Sequence, residues 1–356
     1  MPSSVGSLGE HALIALIRDR VPPAPPWVRV GLGDDAAVVE TERRRLEVVT
    51  TDALVEGVHF DRTFTPPSAI GHRALAVNLS DVAAMGATPR YVLLSLILPA
   101  ALPVEDLTAL LDGLLALAAR HGVPLVGGNI TRSPGPLIVD ITATGTVHER
   151  CVLTRAGARP GDEVWVSGQI GSAAAGLAAL QASPVRDPAM AACETAFLTP
   201  EPRVRLGTLL GRNRAASSCG DLSDGLADGL AQIAAASAVG IELDADAIPV
   251  ASEARSWFEA HGNDPLTAAV AGGDDYELLF TVGRRRRSRF RTVRQQAGAL
   301  PLTRIGTVTT IPGVTWTRNG HRETVPSGYV HFTQSDSRPA PADETGGLAE
   351  DVKPSL

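Results

Sequence analysis

The chain has 356 residues, 44% of them apolar and 20% charged, with a net charge of −7. That length suits two globular domains of about 150 residues each, and the acidic balance argues against a chain whose main task is gripping nucleic acid. No run reaches the roughly 18 apolar residues that cross a membrane, the three scattered cysteines offer neither a disulfide framework nor zinc spacing, and the N-terminus lacks a secretion pattern, so an unprocessed cytoplasmic chain is expected.

Residues 8–19 carry the pattern of a short amphipathic helix, ended by Val21-Pro-Pro-Ala-Pro-Pro26. Strand-like runs at Val28–Val30 and Ala36–Val39 flank Gly31-Leu-Gly-Asp-Asp35, and a third, Leu46–Thr50, runs into Thr51 and Asp52. Residues 68–86 form a helix of small side chains and Tyr91–Leu98 a fully buried strand. The clearest helix spans 104–121: Glu105 and Asp106 favour its first turn, Leu107, Leu110, Leu111, Leu114 and Leu115 make the buried stripe, and Gly122 ends it. Leu125-Val126 is a strand emptying into Gly127-Gly128-Asn129. Residues 137–147 alternate, with Val139, Ile141, Ala143 and Gly145 on one face and Asp140, Thr142 and Thr144 on the other, the mark of a half-buried strand.

The pattern restarts at Glu163–Ser167, which puts a domain boundary near residue 150 and divides the chain into 1–150 and 151–333. Helices near 172–182, 224–238 and 285–297 and strands near 278–282, 304–308 and 314–317 fill the second unit. Residues 334–356 have the composition of a disordered tail. The run Arg284-Arg-Arg-Arg-Ser-Arg289, in an acidic chain, is expected to be a solvated face.

Aspartates recur at element ends. Asp34 and Asp35 follow a glycine turn, Asp52 two threonines, Asp221 and Asp224 bracket Leu222-Ser223, and Asp274 and Asp275 follow Gly272-Gly273. Each alone fits a turn or a cap. Asp81 does not: it interrupts Ala76-Val-Asn-Leu-Ser-Asp-Val-Ala-Ala-Met-Gly86, where a carboxylate is costly unless paired or metal-bound. Aspartates with Thr and Ser hydroxyls are an oxygen-only donor set that suits Mg²⁺, and several Mg²⁺ ions imply a polyanion such as a nucleoside triphosphate. No Gly-rich lysine loop of the P-loop type is present. The stretch Val164-Trp-Val-Ser-Gly-Gln-Ile-Gly-Ser-Ala-Ala-Ala-Gly176 offers backbone amides for a phosphate at a helix start, or close helix packing through its glycines and alanines.

Taken together, these motifs resemble the thiamine-monophosphate kinase family, in the superfamily of aminoimidazole ribonucleotide synthetase. The resemblance runs from about Leu8 to Phe332 through Gly31–Val39, Thr50–Phe60, Ala76–Ala87, Leu153–Asp162, Asp221–Leu226, Gly272–Leu278 and Gly328–Phe332. It implies ATP-dependent phosphorylation of thiamine monophosphate to thiamine diphosphate with Mg²⁺. It also implies an α+β fold of two domains, each a mixed, mostly antiparallel sheet covered by helices, and a homodimer whose N-terminal domains pair into a β-barrel. Positions matching family metal ligands are Asp35, Thr50, Thr51, Asp52, Asp81, Asn129, Asp221 and Asp224. Those matching ATP contacts are Gly128, Asn129, Arg155 and Ser223, and those matching acceptor contacts are His59, Asp274 and Tyr329. The chemistry fits such a site, because an acceptor that is already a phosphate oxyanion needs no base, only positioned cations.

Two positions depart from the family pattern. Asn129 stands where the family has Asp, which predicts a weaker metal site, unless Asn129 only caps a turn. Asp274 stands where the family has Glu, one methylene shorter. The competing expectations are a superfamily enzyme with another acceptor, and a nucleotide-binding homologue weakened in catalysis by Asn129.

Overall fold

The structure is a computed structural model and describes residues 4–32, 36–183, 186–326 and 328. Asp34, Asp35, Tyr329 and the 334–356 tail lie outside the described residues. The first half begins with α1 (Val5–Leu8) and α2 (Glu10–Arg20), separated by Gly9 at φ 75°. A positive φ cannot continue a helix, so the helix expected over 8–19 starts at Glu10 as α2, with the short α1 before it. β1 (Val28–Val30) and β2 (Val38–Val39) form a short hairpin. Then follow β3 (Leu46–Val55), α3 (Pro67–Ala84), β4 (Thr88–Pro99), α4 (Val104–His121), β5 (Leu125–Ser133) and β6 (Ile138–Val147).

Four of these strands form one sheet in the order β3-β6-β4-β5, antiparallel except for the parallel β4–β5 pair. On β4 buried residues alternate with half-buried ones, so one sheet face meets the core and the other is partly open. α3 and α4 cover the core face. They approach closely because a Cβ on Gly71 would lie 1.9 Å from the Leu110 carbonyl oxygen, and one on Gly113 would lie 1.9 Å from that of Ser68. Leu107, Leu110, Leu111 and Leu114 are buried as the heptad-like stripe requires, with Leu115 at its margin.

The strand expected to end at Val126 runs on to Ser133. Gly127, Gly128 and Asn129 lie mid-strand, opposite Leu93, Leu94 and Ser95 of β4. A Cβ on Gly128 would sit 1.9 Å from the Leu94 carbonyl oxygen, so the glycines permit a tight strand pairing rather than end it. This corrects the reading of Asn129 as a turn cap.

The second half contains β7 (Glu163–Ser167), α5 (Ser172–Ala182), α6 (Ala191–Leu198), α7 (Val204–Arg212), β8 (Ser218–Asp221), α8 (Leu226–Ser237) and β9 (Gly240–Asp244). It continues with α9 (Ser252–Ala260), α10 (Pro265–Ala271), β10 (Leu278–Val282), α11 (Arg287–Gln296), β11 (Leu302–Thr309), β12 (Gly313–Arg318) and β13 (His321–Thr324). Its seven strands order as β13-β12-β9-β11-β7-β10-β8, with β12–β9 the one parallel pair among them. Every residue of β8 and β10 is buried because helices cover both sheet faces. Leu279 packs with α8, α9 and α10, while Leu278, Phe280 and Val282 pack with α7 and α11. The halves meet where α7 crosses α3, with a Cβ on Gly207 only 2.0 Å from the Ala83 carbonyl oxygen.

Both sheets are thus mixed, mostly antiparallel and helix-covered, as expected. Among the described residues no sheet closes into a barrel. No described helix is long and apolar enough to cross a membrane.

Candidate active site between the two sheets

A cavity of about 1000 Å³ opens between the halves. The first half contributes the end of β3, the loop after it and one stripe of α3; the second contributes α5, the turn after β8 and the loop before β10. Its walls differ. One carries Asp52, Asp81, Asp221 and Asp224; the other is apolar, with Phe60, Phe64, Leu177 and Phe197.

Strand alternation and helix periodicity build the acidic wall. Thr50 and Asp52 are two apart on β3 and face α3, where Thr50 Oγ1 donates to Asp81 Oδ2 at 2.5 Å. Asp52 and Asp81 share a hydrogen bond as well. Asp221 ends β8, is 8% exposed, and accepts from Ser80 Oγ at 2.7 Å. Partial desolvation, then the charges of Asp81 and Asp221, hold Asp52 well above the usual carboxylate range. Burial and Asp81 raise Asp221 too, against the Ser80 hydrogen bond. Asp52 and Asp221 thus draw protons under the repulsion of Asp81, the electrostatic signature of a site built for added positive charge.

Among the described residues no three His, Cys, Asp or Glu side chains converge tightly enough to hold a metal by themselves. That agrees with the donor set, since Mg²⁺ takes one or two carboxylates and completes its shell with water and substrate phosphates. The oxygens of Asp52, Asp81, Asp221 and Thr50 fit that role.

Other expected residues fall in the same cavity. His59 lines it, and its Nδ1 accepts from the Val55 amide at 3.1 Å. Ser223 and Asp224 stand on the turn after β8, joined by a 3.3 Å hydrogen bond. Arg155 lines the cavity, its charge favours ionised Asp221 and Asp228, and among the described residues it forms no ion pair. Asp274 also faces in, with its side chain 30% exposed.

Thr51, Gly128 and Asn129 are separate. Thr51 points to the opposite sheet face, where its Oγ1 donates to Asp140 Oδ1 at 3.1 Å. Asn129 is on that face too, across β4 from Asp140 through Ser95. Gly128, Asn129 and Asp140 line a second cavity of about 1020 Å³, walled by α2 and the residues around the β1–β2 hairpin. One chain therefore does not bring Asn129 and Thr51 together with Asp52.

The α5 N-terminus is taken by the protein itself. Asp275 accepts from the amides of Gly171 at 2.8 Å and Ala173 at 3.4 Å, and Gly176 lets α6 approach α5 closely. The packing reading of this stretch holds, and two of the amides at the helix start are already engaged by Asp275.

Arg73 and Tyr276 were missed by sequence reasoning. Arg73 is a cation in the apolar α3, 2% exposed, and pairs with Asp274 Oδ1 at 2.7 Å. A charge within a run of small apolar residues, the signal that singled out Asp81, was there to find it.

Comparisons with known proteins identify the family of the chain. The AIR synthase related protein family matches through its N-terminal domain over residues 33–147 and its C-terminal domain over residues 159–317. The thiamine-monophosphate kinase of Escherichia coli K12 is 37% identical over 332 residues, covering 91% of this chain and 98% of its own. That of Bacillus subtilis is 36% identical over 292 residues, 79% of this chain and 86% of its own. The crystal structure of thiamine-monophosphate kinase from Stenotrophomonas maltophilia K279a superposes with a TM-score of 0.78 at 38% identity, covering 90% of this chain and 98% of that one. A structure described as AaThiL complexed with AMPPCP and TMP gives a TM-score of 0.73 at 33% identity, covering 92% and 98%. A hydrogenase maturation protein structure bound to ATP, 20% identical with a TM-score of 0.75, shares the fold.

Proposed function

This chain belongs to the thiamine-monophosphate kinase family, and from that premise we infer the reaction its cavity performs. The chain transfers the γ-phosphoryl group of ATP to the phosphate of thiamine monophosphate, giving thiamine diphosphate. The observation that carries this reading is one cavity with an acidic wall, suited to cation-bound phosphates, facing an apolar, aromatic wall suited to a heteroaromatic acceptor.

The chemistry follows from charge. The acceptor oxygen is an anion before reaction, so no residue needs to remove a proton from it. The barrier lies in bringing one polyanion against another, and catalysis is positioning and electrostatic. Asp52, Asp81 and Asp221, with Thr50, would hold Mg²⁺, which would supply the positive charge that offsets the phosphates. Asp224 and Ser223 flank that cluster, and Arg155 brings a fixed cation toward the transferred group. Asp35 belongs to the same ligand set, and Tyr329 to the acceptor side with His59 and Asp274.

Residues 1–150 act as the metal-binding and dimerising unit, and 151–333 complete the nucleotide and acceptor site. In a homodimer the partly open face of the first sheet joins its counterpart in a barrel. The outer edge of β3, unpaired among the described residues, and the 63% exposure of Val49 support that reading. Asn129 and Gly128, lining the second cavity, contact ATP. The enzyme works in the cytoplasm.

The test is ATP turnover with Mg²⁺ and either thiamine monophosphate or free thiamine as acceptor. Thiamine diphosphate forms from the monophosphate and nothing from thiamine, since no base stands ready to activate an alcohol. Phosphorylation of thiamine without diphosphate product from the monophosphate overturns the reading.

A further inference from the structure

We propose that Arg73 is a positioning residue for the acceptor: it fixes the Asp274 carboxylate so that its outer oxygen receives the amino group of the acceptor's pyrimidine ring. This rests on the reading of Asp274 as an acceptor contact.

Arg73 is held on three sides. Its Nη2 pairs with Asp274 Oδ1 at 2.7 Å, its Nη1 donates to the Phe197 carbonyl at 3.1 Å, and its guanidinium lies 4.2 Å from the centre of the Phe197 ring. Its buried Nε has no partner among the described residues. An arginine buried in a helix of small apolar residues, with one donor unsatisfied, is a costly arrangement for stability alone. A buried ion pair is weak evidence for stabilisation, and an apolar side chain of similar length packs there more cheaply.

Asp274 is equally constrained. Its φ is 69° and that of Tyr276 is 49°, both in the left-handed region that side chains disfavour. The Asp274 amide donates to the Ser223 carbonyl at 2.6 Å, and Tyr276 Oη donates to Asp274 Oδ1 at 3.1 Å. Oδ1 is thus engaged twice, by Arg73 and by Tyr276. Oδ2 has no hydrogen bond among the described residues, and the side chain faces the cavity. Strain of this kind gathers at ligand clamps.

The helix supplies the rest of the argument. Arg73, Val77 and Asp81 follow at i, i+4 and i+8 on α3 and all line the cavity. At 1.5 Å per residue, Arg73 and Asp81 are about 12 Å apart along one rigid element. α3 therefore acts as a ruler: one end anchors the acceptor's ring through Asp274, and the other belongs to the carboxylates that hold the metal-bound phosphates. The planar fork of Arg73 matters, because it engages Asp274 and the Phe197 carbonyl together, which a lysine ammonium cannot do in a fixed plane.

The experiment measures KM separately for thiamine monophosphate and for ATP in the wild type, Arg73→Met, Arg73→Lys, Asp274→Asn and the Arg73→Met/Asp274→Asn double variant. Met fills the buried space without a charge, and Asp274 can reach solvent, so the variant folds; thermal melting checks this. Losing one charge-assisted hydrogen bond raises the KM for thiamine monophosphate about tenfold or more in Arg73→Met, with the ATP KM within about twofold. Arg73→Lys recovers part of that loss. The double variant loses no more than the larger single loss, because both changes remove one interaction. An unmoved acceptor KM in folded Arg73→Met overturns the proposal, as do equal rises for both substrates or additive losses. If Asp274→Asn also leaves the acceptor KM unmoved, the assignment of Asp274 falls with it; if Asp274→Asn moves it and Arg73→Met does not, only Arg73 is removed.

Discussion

Asp81→Asn should abolish turnover and stabilise the metal-free protein. Asp81 lies against Asp52 and contributes to the raised proton affinity of both Asp52 and Asp221. At about 5 Å and an effective dielectric constant of about 20, each like-charge pair opposes folding by roughly 3 kcal/mol. Solvent reaches Asp52 and screens the pair, so relief of about 1–2 kcal/mol is the reasonable size. The new amide oxygen still accepts from Thr50 Oγ1, so no buried donor is orphaned. At about 2–4 °C per kcal/mol for domains of this size, the melting temperature in chelator rises by roughly 3–6 °C.

The sign depends on pH. Asp52 is raised from 3.8 to about 7, so across that window the folded chain keeps a proton that the unfolded chain has lost. Stability of the metal-free wild type therefore falls as pH rises from about 4 to about 7. Asp81→Asn flattens that slope, and its advantage is larger at about pH 8 than at about pH 5. Thermal melts of both proteins in chelator at the two pH values, beside a turnover assay at millimolar Mg²⁺, decide it. A variant less stable than wild type at the higher pH refutes the repulsion argument, and retained turnover removes Asp81 from the metal site.

Asn129→Asp lowers the Mg²⁺ concentration for half-maximal activity, because added ligand charge tightens binding of hard cations; superimposable Mg²⁺ titrations remove Asn129 from the ligand set. Glu277→Gln costs about 3 kcal/mol by breaking a pair with Arg203 in which Glu277 is 3% exposed, read as a shift of the urea midpoint, and a shift worth under about 1 kcal/mol contradicts it. Asp264 caps α10 through the Thr267 amide at 2.9 Å and pairs with Arg318, which hold its carboxyl well below the usual range. Asp264→Ala therefore loses about 1 kcal/mol at neutral pH. The wild type loses the same amount only as pH falls below 3.8 and through the depressed folded value; equal losses at all pH values rule out the carboxylate as the cause.

Much of the fold is written in local patterns. The leucine stripe of α4 and the alternation of β6 specify element and face together, because each repeats through the whole segment. The failures have physical causes as specific. β5 looks finished at Val126 because glycines usually stop strands, whereas here the missing side chains allow the Leu94 backbone to come close. α6, α7, α9 and α10 are each under ten residues, too short for a period to stand out from their loops, and they are held by packing rather than by propensity.

The site shows the same division. Residue type and order along the chain lead to Asp52, Asp81, Asp221, Asp224, His59 and Asp274, and one cavity gathers all six. What sequence order does not convey is facing. Thr50, Thr51 and Asp52 read as one unit, yet the two-residue period of a strand sends Thr51 to the opposite side of the sheet from its neighbours. The same alternation carries Asn129 to the Thr51 face, through the register of β6, β4 and β5. In one chain the four-stranded sheet therefore stands between two polar sets, one shared with α3 and the second half, the other open on the partly exposed face. A kinase that uses both must bring phosphates around the sheet or bring a second chain against that open face. Among the described residues the outer edge of β3 is unpaired and Val49 is 63% exposed, and the proposed dimer, which would take the second route, rests on those two features.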